Sequence, residues 1–343
     1  MNSRERVKRT MRFQMPDKVP VQFYYSPVGY YEHGEKLNDL YDVLHGDFEP
    51  FVRMPIPKPP ASDFDESGNY HAFRRDEWGV LWEYRIFGIT GIPVEYPLED
   101  LSKPDSYTFP APPPLEGLEF DARRRGIAEH QKQYYNLQGA GSLFERLIQL
   151  RPEVEVLCDI ELDEPGINLL ADQIIDYNAK HVALAIKTGA DGISFGDDYG
   201  TERGLIMSPK TWRRFLKPRL QRLFEPARRA GLDIHFHSCG LISELLEDFK
   251  EIGVTSVWPQ LPAYNMKTLA QTCRSLGLAV AVHTDRARTM TSGTPKDVRE
   301  LVKKEFEVFS MAKGGAWFYV EADNGFPFEN IEALVTTILE MRK

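Results

Sequence analysis

Five successive apolar segments end in, or are directly followed by, side chains that can bind a metal or move a proton. These side chains are Asp197 and Asp198, His237 and Cys239, Gln260, His283 and Asp285, and Glu321 and Asp323. Loop tips are polar in any protein, but apolar strands that end in imidazole, thiol and carboxyl groups exceed that general tendency. We therefore expect these strand ends to form an active site.

His237 and Cys239 have the spacing of a metal-binding pair. In an extended chain, residues i and i+2 point the same way, so the two side chains can converge on one ion. Imidazole nitrogen and thiolate sulfur suit Zn²⁺, and a catalytic zinc keeps three protein ligands and one open position. The third ligand would be Glu321 or Asp323, or else His235 or His283. A hydrogen-bonded strand end without metal is the alternative. The other two cysteines, Cys158 and Cys273, are expected to be buried structural thiols.

Asp197 and Asp198 are the candidate catalytic residues. A carboxylate in a pocket with little water often has a raised pKa, which suits proton transfer. Adjacent residues of a strand point to opposite faces, so we expect only one of the two to enter the pocket. A magnesium site or a structural loop anchor remains open for this pair. The expected substrate contacts are Tyr24, Tyr199, Gln260, Trp258 and His283, although each aromatic residue taken alone is better explained as core.

The elements that must position these residues alternate between strand and helix from about residue 130. The predicted strands are 19–25, 134–139, 153–160, 192–196, 232–237, 254–258, 278–283 and 316–321, of which 134–139 and 153–160 are the weakest because the first is polar and the second also suits a helix. Uninterrupted alternation implies parallel strands. About eight of them predict an α/β fold of the (β/α)8 TIM-barrel type, with chemistry at the carboxyl ends of the strands. An open doubly wound sheet is the alternative, but no G-x-G-x-x-G or P-loop motif follows a strand.

Residues 1–125 differ from this regular part and are expected to add strands and loops at the barrel mouth. The segment WGVLWEYRIFGITGIPVEYPL predicts hairpins, and PAPPP at 110–114 predicts a stiff connector. We expect one barrel domain over 1–343, with 126–343 as its regular repeats.

Composition excludes several classes of protein. The chain has 343 residues, a formal net charge of -9, 42% hydrophobic and 27% charged residues, which is ordinary for a globular protein. It has no block of five or more like charges and no apolar stretch of 18 or more residues, so neither nucleic acid nor membrane is an expected partner. The charged N-terminus and only three cysteines predict a cytoplasmic protein.

Six segments, by their order and spacing, resemble the uroporphyrinogen decarboxylase-like superfamily, specifically its corrinoid-dependent methyltransferase branch. They are RERVKRTMRFQMPDKVPV (4–21), DEWGVLWEY (76–84), GADGISFGDDYGTERGLIMSPKTWRRFLKP (189–218), GLDIHFHSCG (231–240), SGTPKDVRELV (292–302) and PFENIEALV (327–335). The resemblance implies a (β/α)8 barrel with its site at the mouth. True decarboxylases grip porphyrin carboxylates with an arginine-rich N-terminal segment, whereas VQFYYSPVGYY (21–31) contains no arginine.

The methyltransferase branch is similar in its H-x-C-G element, here His237, Cys239 and Gly240. In that branch zinc is typically held by this His and Cys and by a cysteine after the last strand, where this chain instead has Glu321 and Asp323. The resemblance implies transfer of a methyl group between a small substrate and the corrinoid (cobalamin) of a partner protein, with zinc as Lewis acid. We favour a methyl ether, including aromatic ethers, as donor because a carboxylate ligand makes the metal site harder. The chain has no D-x-H-x-x-G corrinoid-binding element of its own. The alternatives are methylcorrinoid-to-thiol or tetrahydrofolate transfer, uroporphyrinogen decarboxylation, and a non-catalytic barrel that binds a small molecule.

Overall fold

The computed structural model describes residues 1–101 and 107–342. Its strands are β1 (Val21–Tyr24), β2 (Ala72–Arg75), β3 (Leu81–Tyr84), β4 (Ile92–Glu95), β5 (Leu137–Gly139), β6 (Gly192–Gly196), β7 (Asp233–Ser238), β8 (Ser256–Pro259), β9 (Ala279–His283) and β10 (Ala316–Glu321). Its α-helices are α1 (Ser3–Met11), α2 (Pro27–His33), α3 (Glu35–Asp42), α4 (Gly117–His130), α5 (Phe144–Leu150), α6 (Glu153–Leu162), α7 (Pro165–Thr188), α8 (Pro209–Phe215), α9 (Lys217–Arg229), α10 (Leu246–Glu251), α11 (Met266–Leu276), α12 (Thr289–Ser292), α13 (Pro295–Val308) and α14 (Phe328–Met341).

The chain divides into two compact units. Unit 1 comprises Met1–Lys58, Arg125–Leu137 and Val254–Lys343, and unit 2 comprises Pro59–Arg124 and Gln138–Gly253. The expected boundary at residue 125 and the single barrel domain over 1–343 stay predictions.

Unit 1 contains four parallel strands in the order β1, β10, β9, β8. Its core includes Val7 of α1, Ala281 of β9, and Trp317 and Tyr319 of β10. Asp47 anchors this unit because it accepts ion-paired hydrogen bonds from Arg6 at 2.5 Å and Arg342 at 2.6 Å. The Asp47 carboxylate thus joins the N-terminal helix to the C-terminal end of the chain.

Unit 2 contains the parallel pair β6 and β7, with Gly196 opposite His237. It also contains the antiparallel sheet β2–β3–β4, which confirms the hairpins predicted in this region. Residues 110–114 form neither helix nor strand, as the proline run predicted. The location of these hairpins at a barrel mouth stays a prediction.

The α/β class and the strand–helix alternation of a TIM barrel are confirmed, with one correction. The predicted strand at 153–160 is wrong, because these residues form α6. Val156 and Ile160 are both fully buried at helical i, i+4 spacing, which is the pattern of an amphipathic helix rather than a strand. The described residues therefore contain seven parallel strands instead of the expected eight.

Two cysteines lie in helices, with different burial. Cys273 is buried on α11, as expected. The expectation of a buried Cys158 is wrong, since this residue lies on the exposed side of α6. No helix in the described ranges is both long and apolar enough to span a membrane.

Candidate active site

Asp198, His237 and Cys239 form one group of potential metal ligands at the ends of β6 and β7; we call it the Asp–His–Cys group. One donor atom from each side chain lies within 4.8 Å of the others. His237 Nε2 is 3.5 Å from Cys239 Sγ and 3.6 Å from Asp198 Oδ1. The i, i+2 spacing on β7 thus brings His237 and Cys239 together, and Asp198 joins them from β6.

The donor set of the Asp–His–Cys group fits zinc. Bond lengths of about 2.3 Å to sulfur and about 2.0–2.1 Å to nitrogen, at a tetrahedral angle, would separate the two ligand atoms by about 3.5 Å. This matches the His237–Cys239 distance. The side chains of His237 and Asp198 are 25% and 35% exposed, so a further ligand can approach. Nitrogen, sulfur and oxygen donors with one accessible side are the arrangement of a catalytic zinc site.

Asp197 anchors the loop that carries Asp198. Its fully buried carboxylate accepts hydrogen bonds from the backbone N–H groups of Leu143, Phe144 and Glu145, at 2.9–3.1 Å, and from the Tyr199 hydroxyl at 2.8 Å. Burial raises the pKa of Asp197 to about 6, although these four donors favour the charged form. The structure thus turns Asp197 toward the first turn of α5 and Asp198 toward His237. Both residues follow β6, and the expectation that only one of them enters a pocket stays a prediction.

Two glycines let the ends of β6 and β7 approach closely. Gly200 follows Asp198 by two residues, and Gly240 directly follows Cys239. A Cβ atom added at Gly240 would lie 2.0 Å from the carbonyl carbon of Gly200, and Gly240 has a φ of 72°. Only glycine both lacks the Cβ atom that would clash with Gly200 and adopts this positive φ without strain. The glycine of the H-x-C-G element therefore positions Cys239 through the backbone.

Glu145 is a site residue that the sequence analysis missed. Its carboxylate accepts a hydrogen bond from the backbone N–H of Asp198, and burial, together with the charges of Asp197 and Asp198, raises its pKa to about 8. Glu145 lies in the first turn of α5, directly after the strand end LQGAG. That position after a parallel strand is the one signal that could have identified it.

The remaining acidic candidates form a second group, in unit 1, which we call the His–Glu cluster: His283, Arg286, Glu321 and Asp323. His283 Nε2 lies 3.6 Å from Glu321 Oε2, and Arg286 forms an ion pair with Asp323 at 3.2 Å. Burial, and then the nearby Asp323, raises the pKa of Glu321 to about 7. Glu321 and Asp323 thus have partners within unit 1, and their expected role as zinc ligands stays a prediction.

The expected substrate contacts fall into two classes. Trp258 packs on Tyr319, with ring centroids 4.1 Å apart, and on His283, with ring centroids 5.8 Å apart. Tyr24 pairs with Glu321 in the register of β1 and β10 and is 48% exposed. Gln260 directly follows β8. Tyr199 instead lies in the core of unit 2, fully buried against Trp212 and Phe236. Its hydroxyl donates a hydrogen bond to Asp197 at 2.8 Å, and its expected role as a substrate contact stays a prediction.

Comparison with known families assigns the chain. The model of the uroporphyrinogen decarboxylase family (URO-D) matches residues 161–338, more than half of the sequence. The chain belongs to the uroporphyrinogen decarboxylase family. The matched residues of this family member include Asp198, His237 and Cys239, as well as the whole His–Glu cluster.

Two individual proteins are similar to this family member. A uroporphyrinogen decarboxylase of Thermus thermophilus is 31% identical over 84 residues, which is 24% of this chain and 23% of that protein. The chain thus matches about a quarter of the curated relative's length. A solved methyltransferase from Methanosarcina mazei superposes with a TM-score of 0.64 at 16% identity and covers 99% of both chains. At this identity, the likeness shows that the two chains share a fold.

Proposed function

We propose that this uroporphyrinogen decarboxylase family member is a methyltransferase that moves a methyl group from a small methyl ether to the corrinoid of a partner protein. The observation that carries the proposal is the convergence of Asp198, His237 and Cys239 on one point. Nitrogen, sulfur and oxygen donors of this kind can hold a Lewis-acid metal, which methyl transfer from an ether can use. The full-length likeness in fold to a Methanosarcina methyltransferase supports the same reading.

His237, Cys239 and Asp198 would hold zinc, with Asp198 in the third position in place of Glu321 or Asp323. Zinc bound there supplies a Lewis acid for the substrate oxygen. A carboxylate ligand makes the donor set harder than one with two thiolates, which favours an oxygen leaving group over a thiol. We therefore place ethers, including aromatic ethers, ahead of thiols as the substrate class.

Residues of the chain itself position these ligands. Asp198 Oδ1 accepts a hydrogen bond from the backbone N–H of Cys239 at 2.6 Å, which fixes the carboxylate beside the thiol. Asp197 holds the preceding end of β6 against α5, and Glu145 lies against the Asp198 backbone, where its carboxyl group can give a proton to the departing oxygen. Transfer would break the carbon–oxygen bond and leave its electron pair on oxygen, and the partner's cobalt(I) corrinoid, as the acceptor, would supply the electron pair for the new bond to the methyl group.

The test is a methyl-transfer assay with zinc-loaded protein, free cob(I)alamin as the acceptor, and a panel of aliphatic and aromatic methyl ethers. The visible spectrum of the cobalamin reports its methylation, and chromatography reports the demethylated alcohol. We expect both signals with at least one ether, and their loss in Cys239→Ala and Asp198→Ala. Cys158→Ala is the matched control, because Cys158 is an exposed thiol outside the site.

Two results would contradict the proposal. One is an unchanged cobalamin spectrum with every ether while uroporphyrinogen loses carboxylates. The other is methylation that persists at the wild-type rate in Cys239→Ala. Transfer in the opposite direction, from methylcobalamin to a thiol or to tetrahydrofolate, is measured with the same variants and would retain the metal site but replace the ether as substrate.

A further inference from the structure

A cavity lies in unit 1 between α11 and α13, and the proposed methyl transfer assigns it no role. Its volume is about 490 Å³, within the range of pockets that hold small molecules. We call it the α11–α13 cavity. Its apolar wall is formed by Leu261, Pro262, Met266, Leu301 and Val308.

Glu305 gives this cavity a polar anchor. The residue is 1% exposed and lines the cavity from α13. Glu305 Oε2 accepts a hydrogen bond from the Thr284 hydroxyl at 2.8 Å, whereas Oε1 has no hydrogen-bond partner among the described residues. A buried polar atom without a hydrogen-bond partner destabilises the folded protein. Oε1 is itself covered, so a rotation of the Glu305 side chain toward the cavity would let a ligand donate a hydrogen bond to it and remove this deficit.

The charged groups around the cavity determine which sign of charge a ligand should carry. Asp285 lines the same cavity and raises the pKa of Glu305 in addition to burial, while Lys304 acts in the opposite direction. The Asp285 carboxylate is held by the backbone N–H groups of Ala287 and Arg288, so it stays oriented. Lys267 and Lys304 also line the cavity but are exposed, and water screens their charge. Once it has lost its proton, the buried Glu305 carboxylate therefore acts more strongly on a ligand than the two exposed lysines do.

We propose that the α11–α13 cavity is a binding site for a small primary amine whose ammonium group donates to Glu305 and whose alkyl part lies against Leu261, Pro262 and Val308. The amine enters as a cation and Glu305 binds it as a carboxylate, so a Glu305 that is protonated before binding releases its proton to solvent. The site is independent of the Asp–His–Cys group and of the proposed methyl transfer.

The probe is n-pentylamine, with n-pentanol and pentanoate as ligands of matched size, in calorimetric titrations at pH 7. We expect the amine to bind at least tenfold more tightly than the alcohol or the acid. Titrations in phosphate and in HEPES, which differ in ionisation enthalpy, should show close to one proton released per bound amine. At pH 9.5 this release should disappear.

Variants separate this site from nonspecific binding. Glu305→Gln should weaken amine binding at least tenfold, whereas Glu307→Gln, an exposed carboxylate on the same helix, should leave it unchanged. Val308→Phe fills the cavity and should weaken binding while Glu305 is retained, so the proposal stays testable if Glu305→Gln does not fold. Equal binding of amine, alcohol and acid, no binding of the amine, or an unchanged affinity in Glu305→Gln would overturn the proposal.

Discussion

Asp198 and Cys239 are joined by a hydrogen bond of 2.6 Å from the Cys239 backbone N–H to Asp198 Oδ1. The two residues are 41 positions apart in sequence, yet the parallel register of β6 and β7 makes them neighbours. Gly196 pairs with His237. Asp198 and Cys239 each lie two residues further along the chain, so they also come together. The hydrogen bond to the Cys239 backbone therefore holds the Asp198 carboxylate close to the Cys239 thiol. The three ligand side chains come together without any distortion of β6 or β7.

The first prediction concerns the metal content of the Asp–His–Cys group. We expect the purified protein to bind one zinc ion, and Asp198→Ala to weaken binding at least about 100-fold, since even a residue behind a ligand contributes about 10–100-fold. Elemental analysis and competition with a chelator measure this. Glu321→Ala is the informative comparison: zinc lost in that variant and retained in Asp198→Ala would restore Glu321 as the third ligand.

The sequence predicted only the part of this site that the alternation of side chains along a strand can reveal. His237 and Cys239 belong to one strand, and their shared face follows from the alternation of side chains alone. Asp198 was identified as polar and functional, but its place beside Cys239 depends on the register of two strands, which no local pattern specifies. Glu145 was missed for the same reason: it reaches the site through its contact with the Asp198 backbone.

The fold was predictable where each strand is bounded by turn signals and followed by a helix. The strand predicted at 316–321 coincides with β10, Ala316–Glu321. The error at 153–160 arose because EVEVLCDI alternates polar and apolar residues at its start and so imitates a strand. Pro152 precedes the first turn, acidic side chains fill that turn, and Asp163 ends the helix in a left-handed conformation with φ of 58°. These end signals were stronger evidence than the alternation.

The second prediction concerns Asp197, whose carboxylate binds four donors. In Asp197→Ala, three backbone N–H groups and the Tyr199 hydroxyl lose their shared hydrogen-bond acceptor in the protein interior. We expect a loss of about 3 kcal/mol of unfolding free energy, since each unsatisfied buried donor costs about 1–3 kcal/mol and the groups partly relax. Tyr199→Phe removes a single one of these bonds and should cost about 1 kcal/mol. Equal losses in the two variants, measured by urea unfolding, would contradict the anchoring role.

The third prediction concerns the contact between Gly200 and Gly240. Gly240→Ala introduces a Cβ atom 2.0 Å from the carbonyl carbon of Gly200 in addition to an unfavourable φ. Gly189→Ala is the matched control, because Gly189 has a similar φ of 76° but no atom within 4 Å of the added Cβ. We expect about 1–2 kcal/mol of destabilisation in the control, from conformation alone, and a larger loss with weakened zinc binding in Gly240→Ala. Similar losses would show that the close approach of the strand ends is not needed.

The fourth prediction concerns the charged core of unit 1. Asp47 is buried between Arg6 and Arg342, and it also accepts a hydrogen bond from the Val21 backbone N–H at 2.9 Å. Asp47→Ala leaves two arginines without their shared carboxylate, so we expect a loss of about 3–5 kcal/mol. Asp39→Ala is the control, because Asp39 pairs with Arg53 at the surface, where water screens the pair and its loss should change stability little. Thermal or urea unfolding measures both, and a loss below about 1 kcal/mol for Asp47→Ala would contradict its anchoring role.

The last prediction concerns the pH dependence of stability caused by Glu305. Burial raises the pKa of Glu305 to about 8, from an ordinary value of 4.5. Between these two values the folded protein keeps the proton and the unfolded chain loses it, so stability falls as the pH rises, by up to about 1.4 kcal/mol per pH unit. Below about pH 4.5 both states are protonated, and above about pH 8 both are charged, so the contribution levels off at both ends.

Glu305→Gln cannot ionise, and its stability relative to wild type should therefore increase steadily from pH 5 to pH 8. Glu307→Gln should show no such trend, because its side chain is exposed. Urea unfolding of the three proteins across this range measures the difference, and parallel pH profiles for wild type and Glu305→Gln would show that Glu305 is ionised in the folded protein.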